Sequence, residues 1–426
     1  MVTITLQDII GHEPLHWRGD RRGIEEFNPV FPRLLAATNE LTPGEMAEFK
    51  SFLASIHFPP NPFRNFDNSL STNLPLPGHV ALGLRQLPAG APLPSGNARR
   101  GLQTYTQFEC IGCHRLPSGL SPEFGPPPDT NGNHHVQTIA LARNSNLPFR
   151  GPQLRNLAEK VGMDTAGTNS RAGFGFSFNG RVDSLTRFLQ LGFPPSHTND
   201  QSTADMIALL LSLSGSDFAP TVYPDGLPSK DVPAAVGRQL TLSQPARTPL
   251  LDAMLELTAA GASRVDLVVK GVVNDVARGW FYEAWKGWFQ SDRASERLTL
   301  DELLTLIEPG NELTFTVVLH GTGQRIGIDR DEDGFFDRDE LDAGSDPARA
   351  TSIPLRISVR LEAASDVVIT FNSVVGRTYR LEYRSHLDEE VWTPLGPARV
   401  ADATSQTTMD LSGNQARRFY RIVQVD

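Results

Sequence analysis

Cys110-Ile111-Gly112-Cys113-His114 is the stretch on which the reading of this chain turns. Its two thiols are three residues apart, neighbours on a helical turn, so both can reach the two vinyl groups along one haem edge. The adjacent imidazole then points at the iron from the proximal side. Three other readings compete for the same residues: a redox C-x-x-C pair, an incomplete zinc site, and chance. A thioredoxin-like pair needs a strand before it, and the local pattern here is helical. Zinc needs two more ligands close by. Cys110 and Cys113 are the only cysteines in 426 residues, which excludes a disulfide scaffold and a four-cysteine zinc or iron–sulfur site. Two cysteines in this motif mean one haem c.

The rest of the composition narrows the setting. Lys and Arg number 39 against 49 Asp and Glu, a net charge of -10 that argues against nucleic acid or an anionic membrane as partner. The longest apolar run is Met206–Leu211, far short of the roughly 20 residues of a membrane span. The opening MVTITLQDIIGHEPLHWRGDRR has no basic region followed by an apolar core, so it is not read as a secretory leader. A trimmed start, or a piece of a longer chain, is the expectation.

At roughly 150 residues per domain, a chain of this length implies about three domains. Residues 1–82 read as helix and loop, with Thr42-Pro43-Gly44-Glu45 opening a helix on which Met46, Phe49, Phe52, Leu53 and Ile56 follow at helical spacing. Residues 83–97 and 217–233 are proline-rich and read as linkers. Between them, 98–216 begins with a helix over 98–108 and ends with one over 203–214, with a shorter helix near 182–191. Residues 234–328 read as mixed α/β, with strands over 264–270 and 312–319; 329–350 form an acidic loop; 351–426 alternate as a small β-sandwich. The expected fold class is therefore multidomain: a mainly α cytochrome c domain, then mixed α/β and all-β modules.

The 98–216 region resembles the class I cytochrome c family. Gly101, Tyr105 and Phe108 lie on a first helix leading into the motif, Gly125-Pro126 follows the histidine, and Asp205–Leu211 resembles the terminal helix that crosses the first. That resemblance implies that the Pro126 carbonyl accepts a hydrogen bond from the proximal imidazole, fixing the ring. A narrower resemblance lies inside it. Gly151-Pro152-Gln153-Leu154-Arg155-Asn156 is similar to the P-x-L-R-N segment of bacterial di-haem cytochrome c peroxidases, and Phe176–Leu185 is similar to their F-x-H-D-G-x-V-x-x-L segment. Here Phe178-Asn179 stands in place of His-Asp, so that segment offers no histidine ligand. Leu15–Arg21 resembles a segment that precedes the haem domain in large proteins of this kind, and places His16 or Trp17 near a haem or in a core.

For the sixth iron position, Met163 leads. It follows His114 by 49 positions, a separation typical of small His/Met cytochromes, and lies in a polar glycine-containing loop. His134, His135, His197 and an open position stay as rivals, whereas Met206 falls on an apolar stripe and reads as core. Thioether ligation raises the potential and closes the iron to substrate.

Asp329-Arg330-Asp331-Glu332-Asp333-Gly334-Phe335-Phe336-Asp337-Arg338-Asp339-Glu340 matches a twelve-residue calcium loop. Asp329, Asp331, Asp333, Asp337 and Glu340 fall at the oxygen-ligand positions, the Phe335 carbonyl at the seventh, and Gly334 at the sharp turn. A strand-like segment precedes it, and Gly344-Ser345-Asp346-Pro347 follows. The whole resembles the thrombospondin-type-3-like calcium spacers of extracellular bacterial proteins and implies a structural ion. Trp280, Trp285 and Trp288 read as core or as a sugar-binding or interface cluster.

Together these readings imply an electron-transfer cytochrome outside the cytoplasm, periplasmic or extracellular. Its partner would be a redox protein, with an upstream haem or propeller module on the same longer chain. Two alternatives remain: a di-haem peroxidase or oxidase whose second haem lies elsewhere, and a surface-binding protein that works through its β modules.

Overall fold

Thr42 opens the first long helix by a capping box: its hydroxyl accepts from the Glu45 N–H, and the Glu45 carboxylate takes the Thr42 N–H at 2.8 Å. The computed structural model in which this is seen describes residues 5–17, 19–76, 88, 90–107, 110–116, 151–160, 175–176, 182, 184–190, 199–214, 231–260, 264–361, 366–411 and 417–425. Among these the architecture is mixed α/β with much antiparallel sheet, in two units, Met1–Val236 and Gly237–Asp426.

The first unit carries α1 (Val30–Leu34), α2 (Pro43–Ser55), α3 (Ala98–Gln107), α4 (Cys110–Cys113), α5 (Leu185–Gln190) and α6 (Asp200–Ser212). On α2, Met46 and Leu53 are buried with Leu15 and Ile24, and Phe49 packs edge-on to Phe31. Phe52, expected on the same stripe, is 62% exposed. At 100° per residue it sits about 120° from Met46, off the buried face.

Helix α6 is the centre of this unit. Asn199 caps it together with Ser202, and every residue from Thr203 to Ser212 is buried. It starts three residues before the expected 203 because Asn199 supplies the cap, and ends when Leu213 turns extended. Helix α3 crosses it at Gly101, whose missing side chain lets the backbones meet: a Cβ there would lie 2.1 Å from the Asp205 carbonyl oxygen. Asp205 secures the crossing by accepting Arg100 Nε at 2.7 Å and the Asn97 N–H at 2.8 Å.

The expected boundary between 1–82 and the helical domain does not separate two bodies. Asn61 Nδ2 donates to the Leu211 carbonyl at 2.8 Å, Arg64 Nε to that of Ser212 at 2.6 Å, and Ser212 Oγ to that of Phe63 at 3.0 Å. Leu74 and Gly96 exchange backbone hydrogen bonds, so the end of the stretch that reads as linker is paired with the segment before it. Ala234 N–H reaches Asn68 Oδ1 at 3.0 Å, so the first unit runs on to Val236, past the expected start of the second at 234.

In the second unit a six-stranded antiparallel sheet has the order β1-β6-β2-β3-β4-β5. The strands are β1 (Gln239–Leu242), β2 (Val265–Val273), β3 (Val276–Glu283), β4 (Trp288–Ser291), β5 (Arg297–Leu298) and β6 (Leu313–Leu319). Its helices are α7 (Pro249–Ala259), α8 (Leu300–Leu304), α9 (Gly323–Gly327) and α10 (Asp337–Ala343). Val265–Val269 are all buried, as in a strand covered on both faces. α9 covers the Asp266 and Val268 face through Gly323 and Gly327. Val269 lies between Trp280 and Phe315 in the register, all three fully buried.

Two further small antiparallel sheets follow. One is β12 (Ser405–Asp410), β8 (Val367–Asn372) and β7 (Ile357–Leu361). In the other, β9 (Thr378–Arg384) pairs with β10 (Thr393–Pro394), β11 (Arg399–Val400) and β13 (Phe419–Gln424). Phe371 from the first and Tyr379 and Ile422 from the second share one core, the packing of a sandwich.

Candidate functional site

The C-x-x-C-H residues form one helical turn. The His114 N–H bonds the Cys110 carbonyl at 2.8 Å, so the cysteines stand on adjacent corners of that turn with the imidazole just beyond. Tyr105, buried on α3, donates its hydroxyl to the His114 carbonyl. Ile111 and Leu116 lock the turn into the core with Tyr105, Leu157 and Met206, and half-buried Cys110 packs at its edge. Met206 is core, as its stripe predicts.

The His114 ring is oriented from the other side of the motif. Its Nδ1 lies 3.1 Å from the Pro152 carbonyl oxygen. A carbonyl only accepts, so Nδ1 carries a proton, and in the neutral ring Nε2 keeps the lone pair. This tautomer is suited to metal ligation through Nε2. Among the described residues the acceptor is the Pro152 carbonyl, in the L-R-N segment; the Pro126 carbonyl, the expected acceptor, lies outside them. Pro126, Met163, His134, His135, His197, Phe178 and Asn179 lie outside the described residues, and of Cys113 only the backbone is described.

Residues 151–156 are held on both sides. The Asn156 N–H bonds the Leu213 carbonyl at 2.9 Å, just beyond the end of α6. The Arg155 side chain is wholly buried; it donates to Gln153 Oε1 through Nε at 2.9 Å and Nη2 at 2.6 Å, and pairs through Nη1 with Asp8. His12 closes the cluster, 3.3 Å from Asp8, and Phe58 lies under the guanidinium. Sequence reasoning took Leu154-Arg155-Asn156 as a family signature and missed that it docks the N-terminal segment.

The acidic loop gathers its first three aspartates. Oxygens of Asp329, Asp331 and Asp333 all lie within 4.8 Å of one another. Gly334, at φ +91°, turns the chain so that its N–H bonds Asp329 at 3.3 Å; the Phe335 N–H bonds Asp333 at 2.8 Å. Glu340 comes in from α10 fully buried, with neither carboxylate oxygen hydrogen-bonded, and one oxygen each of Asp329, Asp331 and Asp333 is likewise buried without a partner. Burial, then the charges of Asp333 and Asp331, push the Glu340 carboxyl up to about 7. Burial likewise raises Asp329 and Asp333.

Such a group of desolvated carboxylates has the donor chemistry of a hard divalent cation. The Asp337 carboxylate accepts the Arg330 N–H at 2.9 Å and Arg330 Nε at 3.3 Å, bracing the loop. The segment before the loop differs from expectation, since α9 intervenes between β6 and Asp329. It forms there because the Asp266 carboxylate accepts the N–H groups of Gly321 and Gly323 at 2.8 and 3.0 Å.

The remaining aromatic candidates separate. Trp280 is fully buried, whereas Trp285 is 83% exposed, with Lys286 over its ring. Trp17 is buried, and His16 pairs with Asp20 at 2.7 Å. No helix among the described residues is long and apolar enough to cross a membrane. Comparison with protein-family models, with curated proteins and with solved structures gives no match.

Proposed function

We propose that this chain is a mono-haem c-type cytochrome module that transfers electrons outside the cytoplasm, with a calcium ion stiffening its second unit. Cys110 and Cys113 would anchor haem c by thioether bonds, His114 would be the proximal ligand, and Met163 the distal one. When bound, the haem supplies a one-electron redox centre. The chain's contribution is orientation: Pro152 fixes the His114 tautomer, Tyr105 holds the backbone behind it, and the Gly101 crossing steadies the helix that precedes the motif.

The observation that carries this reading is the 3.1 Å contact from His114 Nδ1 to the Pro152 carbonyl, which prepares the imidazole beside two cysteines for ligation. Asp329, Asp331, Asp333, Asp337 and Glu340 would hold the calcium, with the Phe335 carbonyl as a further oxygen. The orphaned buried carboxylates support that assignment. The partner is a redox protein.

Spectroscopy of haem-loaded protein with and without peroxide tests the reading. A low-spin spectrum indifferent to peroxide is expected, with a near-red methionine–iron band that vanishes in Met163→Ala. Ready formation of a peroxide-oxidised species would favour the second reading, a haem module of a di-haem peroxidase-like enzyme. The position of the L-R-N segment beside the His114 ring is what recommends that alternative.

A further inference from the structure

We propose that Gln153, Arg155 and Asp8 are positioning residues for the proximal histidine: they hold the Pro152 carbonyl against the His114 ring and so tune the reduction potential. This rests on the reading of His114 as an iron ligand.

The Pro152 carbonyl and the Gln153 N–H share one planar peptide, so fixing Gln153 fixes the direction of that oxygen. Gln153 is buried, and its Oε1 receives two donors from the fork of Arg155, at 2.9 and 2.6 Å. The same guanidinium pairs with the Asp8 carboxylate through Nη1 and reaches the Asp8 carbonyl through Nη2 at 3.4 Å. Asp8 is itself tied down, its N–H bonding the Ile56 carbonyl at 3.0 Å. A continuous set of hydrogen bonds and one peptide thus runs from the N-terminal segment to Nδ1 of His114.

Apolar side chains of similar volume would fill this space at lower electrostatic cost. What the charged set adds is direction, because the planar fork of an arginine admits few geometries. A firm Nδ1–H···O bond gives the ring more imidazolate character and favours the ferric state. Loosening it raises the potential.

The test uses the full chain matured with covalent haem and titrated potentiometrically. Gln153→Met keeps the side-chain length and removes the acceptor; Asp8→Asn keeps the shape and removes the charge. Both are expected to shift the oxidised-to-reduced preference by about tenfold, a rise of 59 mV for a one-electron couple. Leu53→Ala, in the apolar core of the N-terminal segment, lowers stability while removing no hydrogen bond of the network and is expected to leave the potential alone. Potentials equal to wild type in both network variants overturn the proposal, as does an equal shift in Leu53→Ala. If Asp8→Asn does not fold, Gln153→Met decides.

A wild-type chain that takes up no haem overturns the haem reading instead. The positioning claim is then decided on the unloaded chain by ¹⁵N resonances of His114, with the proton on Nδ1 in wild type and a mixed tautomer in Gln153→Met. Identical tautomers in the two overturn it.

Discussion

Gly101 meets Asp205 so closely that a Cβ at 101 would stand 2.1 Å from the Asp205 carbonyl oxygen and 2.9 Å from the Leu209 Cβ. The obstacle is backbone, which cannot rotate aside, so the two helices must separate to admit a methyl group. Gly101→Ala is expected to cost about 3 kcal/mol or more, at the upper end for overpacking. Urea denaturation of the first unit's transition measures it. A stability equal to wild type would mean that α3 and α6 do not cross here.

The buried pair of Arg155 and Asp8 predicts an asymmetric response. Removing one partner strands the other charge away from water, so Arg155→Ala is expected to destabilise by about 3–5 kcal/mol. Both side chains are almost wholly buried, 0% and 1% exposed, so solvent screens the pair little. The double variant Asp8→Leu/Arg155→Leu should recover much of that loss. Equal losses in the single and double variants would rule out the coupling.

Without calcium, Glu340 gives the second unit an unusual pH dependence. Its carboxyl stands at about 7 in the folded chain against an ordinary 4.5, so between those values the folded state binds more protons than the unfolded. Stability therefore falls as pH rises through this window. In chelator, the melting temperature of the second unit is expected to drop from pH 5 to pH 8. Saturating calcium is expected to hold the ionised form, to remove the drop, and at a hundredfold excess over its dissociation constant to add about 2.7 kcal/mol. Glu340→Gln should lose the calcium effect. A melting temperature indifferent to calcium and to pH would contradict the site.

Two tryptophans in one short stretch should behave oppositely. Trp280→Ala empties a fully buried position between Val269 and Ser291 in the register and is expected to cost about 3–5 kcal/mol. Trp285→Ala, at 83% exposure, should stay within about 0.5 kcal/mol. Chemical denaturation of the two variants checks this.

What could be read from the chain alone was what depends on local spacing. The Cys110–Cys113 helical turn and the cluster of Asp329, Asp331 and Asp333 each form within a dozen residues, where spacing alone points to them. The contact of Pro152 with His114 spans 38 positions, so no local spacing announces it. The tie from Asp8 to Arg155 spans 147 positions and has no periodic signal at all. The stretch over 83–97 looked like a linker from its prolines, yet Gly96 sits against Ala204 on α6, a contact that only the tertiary fold explains. Phe52 was misplaced for a simpler reason: apolar character was allowed to outweigh its angle on the helix.

The most direct measurement is of covalent haem itself. The full chain is produced with a c-type haem maturation system, denatured, and assayed by haem staining and its pyridine haemochrome spectrum. One haem per chain, retained through denaturation in wild type and lost in Cys110→Ala/Cys113→Ala, is the predicted result. A chain that carries no covalent haem under conditions that mature a control cytochrome, or that keeps it without both cysteines, would contradict the account.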